Sequence, residues 1–263
     1  MRKIFLVALA FLLIPAVCLG QKVDGVSSPA KVGGVAGPAK VAGVGLSGAV
    51  WSCADAGLTC DSFDTNPGFD ASWSTTGTPD PDYPNSSALA CDAANVHSFR
   101  INKTDDGTIQ AYTTLTEQNT YNNIYFLKLE SSSNDTTRRI MVRLENDVRL
   151  LVDISQYVDG GNYYLAIKTS QQDESPVEQA TYQVTLNAFY KIETHWLANQ
   201  ASGGVSVTIN DLPVSLGNTS TYNGGVKYET LRADGTGATS HYAFQIDNWK
   251  SSATAPPVCA GSY

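Results

Sequence analysis

From Ser98 onward the chain alternates apolar with polar residues in short segments divided by Gly, Asn, Asp and Ser clusters. That period-2 rhythm belongs to a half-buried strand, whose successive side chains point to opposite faces. It is plainest in TYQVTLNAFYKIETHWL, GVSVTINDLPVS, VKYETLRAD and SHYAFQIDNWKSS, where Val205, Val207 and Ile209, and again Tyr242, Phe244 and Ile246, fall on every second position. SFRIN, IQAYTTL, NIYFLKLES, RRIMVRLEN, VRLLVDIS and NYYLAIKTS precede them at regular intervals. No window keeps apolar residues at helical spacing long enough to make a helix. Ten or so strands divided by turns predict an antiparallel two-sheet sandwich or barrel. Asn210-Asp211 predicts a tight reversal, because Asn and Asp tolerate left-handed backbone angles. Trp196 and Trp249 are expected in the core.

The region before Ser98 follows different rules. Met1 to Gly20 has a basic start at Arg2 and Lys3, an apolar run from Ile4 to Val17 and small residues before Gln21, the layout of a cleavable secretory signal. The run contains Pro15 and falls short of a bilayer span of about 20 residues, which argues against a retained anchor. Lipidation at Cys18 is the other alternative, although Pro15-Ala16-Val17 is a poor lead-in for it. KVDGVSSPA, KVGGVAGPA and KVAGVGLSG then repeat with a nine-residue period and too little apolar bulk for a core. This predicts an extended Gly/Val/Pro-rich stalk over residues 21–50, or a segment that mediates self-association. A sandwich domain over 51–252 and a tail over 253–263 complete the organisation. Residues 51–91 read as loop-rich.

Charge and cysteines narrow the setting. The net charge of −8 becomes −10 once Arg2 and Lys3 are removed. Without Lys/Arg runs, such a surface attracts neither nucleic acid nor anionic membrane. The mature chain keeps four cysteines, an even number that in an exported protein reads as two disulfides with three connectivities open. Cys53 with Cys60 closes a short loop, and Cys91 with Cys259 would tie the chain end to the first part of the domain. No close cysteine pair suits zinc, and the histidines are only His97, His195 and His241. The sequons at Asn85, Asn102, Asn134 and Asn218 would be used only in a glycosylating host.

The order GFDASW, DPDY, SFRI, YKIETHW, VTINDLPV and YAFQIDNWKSS resembles the laminin-G-like branch of concanavalin A-like lectin and glucanase jelly-roll domains, over roughly residues 58–252. In that family a late strand reads aromatic-x-x-Asp-Asn-apolar, as do Phe244, Asp247, Asn248 and Trp249. Tyr190 to Trp196 and Val207 to Asp211 match its Tyr-x-Ile-Glu-x-x-Trp and Val-x-Ile-Asn-Asp. The resemblance implies an all-β jelly roll, a calcium ion near the sheet edge or between loops, and an extracellular ligand such as a glycan. The same sandwich hosts lectins, glucanases, lyases and adhesion modules, so the fold does not choose among them.

Candidate chemistry is sparse. Jelly-roll glucanases carry carboxylates at alternate positions of one strand; Glu145 and Asp147 supply two, but Arg149 and Leu150 stand where a third would fall. Lys191, Glu193 and His195 share one strand face, as a ligand-contacting set, a weak proton-transfer pair in Glu193 and His195, or a solvated face. Neither a nucleophile elbow nor a phosphate-cradling loop is present. Asp64, Asn66 and Asp70 form a hard-ligand cluster suited to calcium, and the family likeness adds Asp247. Trp73 and Tyr83 bracket the acidic loop as sugar-stacking candidates, with Tyr121, Tyr163, Tyr164 and Tyr222 near turns. The reading is an exported or cell-surface lectin-like module for an extracellular polysaccharide or glycoconjugate. The alternatives are a polysaccharide-degrading enzyme, with no complete catalytic motif, and a structural subunit of an appendage or matrix.

Overall fold

The computed structural model describes residues 53, 56–63, 73–84, 97–104, 106–132, 136–170, 177–199, 203–219, 222–235 and 241–257, within a compact unit that spans Gly48–Tyr263. The signal, the repeats, Asp64, Asn66, Asp70, Cys91 and Cys259 lie outside the described residues. Among the described residues there is no helix, and fifteen strands form two antiparallel sheets.

The strands are β1 (Cys60–Asp61), β2 (Ser74–Thr76), β3 (Asp80–Pro84), β4 (His97–Lys103), β5 (Gly107–Gln118), β6 (Thr120–Ser131), β7 (Arg139–Glu145) and β8 (Leu150–Asp159). They continue with β9 (Asn162–Thr169), β10 (Val177–Val184), β11 (Phe189–Leu197), β12 (Gly204–Ile209), β13 (Leu212–Pro213), β14 (Val226–Gly235) and β15 (Tyr242–Ser252). One sheet runs β13-β12-β11-β6-β15-β4-β3, with β1 also on β15; the other runs β10-β9-β8-β7-β14-β5-β2. Every alternating segment after Ser98 becomes a strand, and Asn210 and Asp211, at φ 51° and 63°, make the expected reversal.

Two local readings are corrected. TYQVTLNAFYKIETHWL is not one strand: β10 and β11 belong to different sheets. The chain changes sheet at Asn187, held at φ 63°, a left-handed angle that ends an extended run. The loop-rich first part contains β1, β2 and β3. Pro81 and Pro84 are tolerated in β3 because it is an edge strand, where a missing N–H leaves no ladder position unpaired. The Cys53–Cys60 disulfide is present and holds the segment leading into β1.

The core lies between the sheets. Ile192 pairs with Ile209 on one side and Tyr125 on the other, and Ile246 with Leu127 and Phe99. Facing them, Val142, Ile154, Ile167 and Leu231 align across four strands. Trp196 and Trp249 are fully buried, the latter stacked on Tyr125 with ring centroids 4.8 Å apart.

Trp249 reaches the core only because β15 breaks its own alternation. Asp247 pairs with Phe126 and Lys250 with Ile124, so three steps along β15 span two along β6. This bulge centres on Asn248 at φ 51°. Strict alternation from Phe244 and Ile246 would send Asn248 and Lys250 inward and Trp249 out; the extra residue reverses that.

A polar layer interrupts the core. Glu229 is fully buried on β14, between Val226 of one apolar cluster and Leu231 of the other, and accepts a 2.8 Å hydrogen bond from the Tyr121 hydroxyl on β6. Burial pushes the Glu229 carboxyl above its ordinary range, against the polar groups of Ser251, Thr59, Tyr121 and Trp249 around it.

Two outcomes follow from these features. Asn248→Val should cost about 1–3 kcal/mol in chemical denaturation, since a β-branched residue is strained at this angle. Asn248→Gly should stay within about 1 kcal/mol of the parent, because Gly meets the angle freely; it also removes a buried amide that makes no hydrogen bond. For Glu229 the folded protein holds the proton more tightly than the unfolded chain, so its contribution to stability declines as pH rises above the ordinary 4.5 toward the raised folded value. Glu229→Gln should lack that decline, and in melts recorded from pH 4 upward the difference should move in the variant's favour.

Candidate functional site

The polar face predicted on β11 lies on the outer surface of its sheet, and the register shows what stands beside it. Glu193 pairs with Thr208 of β12 and Ile124 of β6; His195 pairs with Ser206 and Asn122. Directly opposed side chains of neighbouring strands lie about 4.5–5.5 Å apart at Cβ, so these residues form one patch. Pro256 and Pro257, which follow β15, form a further wall. The result is a slot of about 170 Å³ lined by Asn122, Asn123, Glu193, Thr194, His195, Ser206, Thr208 and the two prolines. That is smaller than the roughly 300–1,000 Å³ of a drug-sized pocket and suits one ring or a comparable group.

The polar contacts are directional. Asn122 donates its Nδ2 hydrogen to the Ser252 carbonyl at 3.3 Å, so its Oδ1 is the atom that meets His195 Nδ1 at 2.6 Å. An amide oxygen only accepts, so Nδ1 carries hydrogen and Nε2 of the neutral ring is left as an acceptor. Thr208 donates its hydroxyl to Glu193 Oε2 at 2.6 Å, while Glu193 Oε1 lies 3.3 Å from Lys191 Nζ.

Lys191 departs from the solvated-face reading. Its side chain is 5% exposed, and its ammonium is held between Glu193 and Asp211. Asp211 comes from the β12–β13 reversal, and the neighbouring Asn210 accepts the Lys191 backbone N–H at 2.9 Å. The turn that ends the hairpin therefore also neutralises the buried lysine.

The remaining candidates do not join this patch. Tyr83 shares the outer face but lies on β3, four strand spacings or about 19 Å from β11, under the Arg100 guanidinium at 4.4 Å. Trp73 packs at the core margin, edge-on to Trp249 with centroids 5.8 Å apart and 6.4 Å from Phe63. Tyr121 is spent on Glu229, Tyr164 stacks on Tyr157 at 5.2 Å and Tyr222 lies under Arg149 at 4.6 Å. Asp147 lies in the turn after β7, where it pairs with Lys227 and accepts the Tyr228 hydroxyl, and Glu145 meets Arg143 at 3.4 Å.

Asp247 is fully buried on the outer face of β15, where its charge offsets the burial that lowers the Lys128 ammonium. A cation therefore already stands near this carboxylate. Among the described residues no three His, Cys, Asp or Glu side chains converge around Asp247, and Asp64, Asn66 and Asp70 lie outside those residues.

Asn122, Ser206, Thr208 and the two prolines were not among the sequence-derived candidates. Asn122 and Asn123 in TYNNIYF are polar positions in an apolar strand, a visible oddity, but only the register places Asn122 beside His195.

No known family profile matches the chain, and no curated protein does. Solved structures do match. A botulinum neurotoxin DC binding domain in complex with rat synaptotagmin II is 9% identical with a TM-score of 0.52, covering 76% of this chain and 49% of that one. The same toxin's binding domain with SialylT is 9% identical with a TM-score of 0.50, covering 76% and 48%. A carbohydrate esterase from a Shiga toxin-encoding bacteriophage is 10% identical with a TM-score of 0.51, covering 74% and 98%. The chain spans about half the length of the toxin structures. At such identities the likeness shows the fold alone, an all-β jelly-roll sandwich of two antiparallel sheets. Among the described residues no helix is long and apolar enough to cross a membrane.

Proposed function

We propose that the protein is an exported, lectin-like module that binds an extracellular glycan in the slot between β6, β11 and β12. The observation that carries this is the convergence of Glu193, His195, Ser206 and Thr208 on one sheet face against Pro256 and Pro257. A sugar ring presents hydroxyls at its edge and C–H groups on its faces. The slot offers hydrogen-bonding side chains and an apolar wall at matching scale.

The binding domains and the carbohydrate esterase that share the fold support glycan recognition only as an analogy of scaffold. The disulfide and the signal-like N-terminus support export. Calcium enters this reading only as an expectation from the sequence, through Asp64, Asn66 and Asp70.

The test is retention of the mature protein on immobilised polysaccharides, with and without EDTA, while the supernatant is assayed for released sugar. Retention without release is expected. His195→Ala should weaken it by at least about tenfold, the loss of one well-placed buried hydrogen bond, with the thermal transition unchanged. Retention that survives His195→Ala would remove the slot as the site, and sugar release would replace the lectin reading with an enzymatic one.

A further inference from the structure

We infer that the slot selects an uncharged sugar ring and rejects uronic and other acidic sugars. This rests on the glycan-binding reading above and adds the chemical class of the ligand. It follows from the charges and hydrogen-bonding groups that line the slot.

The slot is lined by one carboxylate, Glu193, and by no lysine or arginine. With its Nδ1 hydrogen committed to Asn122, the His195 ring in its neutral form presents Nε2 as an acceptor. Glu193 keeps acceptor capacity beyond the Thr208 hydroxyl and the Lys191 ammonium, and its side chain is 36% exposed. The Thr208 hydrogen is already used by Glu193, and one of the two Asn122 Nδ2 hydrogens by the Ser252 carbonyl. Ser206, which is exposed, retains a hydroxyl free to donate or accept, and Asn123 adds an amide that makes no hydrogen bond. Sugar hydroxyls, which both donate and accept, can meet these groups without bringing charge.

The charges point the same way. Lys191 is buried between two carboxylates that leave the group of Glu193, Asp211 and Lys191 with one net negative charge, and Lys250, outward on β15 opposite Ile124, is itself buried and is not among the lining residues. On the same face Arg100 is paired with Glu130 at 2.6 Å, and Lys128 faces Glu130, Asp247 and the Phe189 ring. No arginine fork is among the lining residues to receive a carboxylate or sulfate. An acidic sugar would bring its charge beside Glu193 without a counterion, whereas a neutral ring meets acceptors on one side and proline on the other.

The discriminating experiment compares retention on neutral glucan, mannan, galactan and xylan with retention on polygalacturonate, alginate and hyaluronan. Parent, Glu193→Gln and His195→Ala proteins are used at low and high salt. The parent should be held by at least one neutral polymer and not by the acidic ones. Glu193→Gln removes the repelling charge and partly frees Lys191, so it should raise acidic relative to neutral retention by roughly tenfold at low salt, and less at high salt.

Preferential retention on an acidic polymer that His195→Ala abolishes would overturn the inference while leaving glycan binding at the slot intact. An unchanged ratio in a folded Glu193→Gln protein would also overturn it. Retention on neither class would remove the glycan-binding reading itself, and the inference with it.

Discussion

The extra residue in β15 is the constraint on which both the core and the slot depend. β15 pairs with β6 along its length, with β4 through its first half and with β1 near its end, and none of its side chains is exposed. A strand enclosed on both faces cannot hold its side chains in arbitrary phase. The bulge at Asn248 exchanges an amide and a lysine for Trp249 and Ser251 on the core side, and sets Lys250 and Ser252 outward. Tyr125 then has an indole to stack on, and Trp73 and Phe63 extend the aromatic contacts toward the first strand. The polar layer around Glu229 uses the same phase, because Ser251 and Trp249 face that carboxyl.

The phase also reaches the outer surface. Beyond the bulge Ser252 comes opposite Asn122, and its carbonyl takes one hydrogen of the Asn122 amide. That contact turns the amide oxygen toward His195 and fixes which ring nitrogen carries hydrogen. Pro256 and Pro257 follow within a few residues and line the slot. A core packing requirement and the orientation of a surface histidine are thus linked through four consecutive positions, Trp249 to Ser252.

Much of this was legible in the sequence. The strand rhythm after Ser98 and the shared face of Lys191, Glu193 and His195 follow from alternation, the Asn210-Asp211 reversal from its turn residues, and the burial of Trp196 and Trp249 from the use of aromatics to fill a sandwich core. Even the phase break shows, since Ile246 and Trp249 are three positions apart in a strand that otherwise repeats every two. Register was not legible, because alternation says which face a residue takes and not which strand lies beside it. Asn122 therefore looked like any polar strand residue, and Lys191 like a solvated one, until Asp211 arrived from the turn. The change of sheet at Asn187 was hidden because one backbone angle, and no break in composition, divides β10 from β11.

The most direct test of the slot as a binding site is the imidazole ¹⁵N spectrum of His195, assigned with a His195→Gln variant, before and after adding a retained oligosaccharide. The account predicts an Nδ1–H tautomer in the free protein and an Nε2 resonance that moves on titration, while His97 and His241 stay in place. An Nε2–H tautomer in the free protein, or an unmoved His195 under conditions where the oligosaccharide is bound, would contradict it.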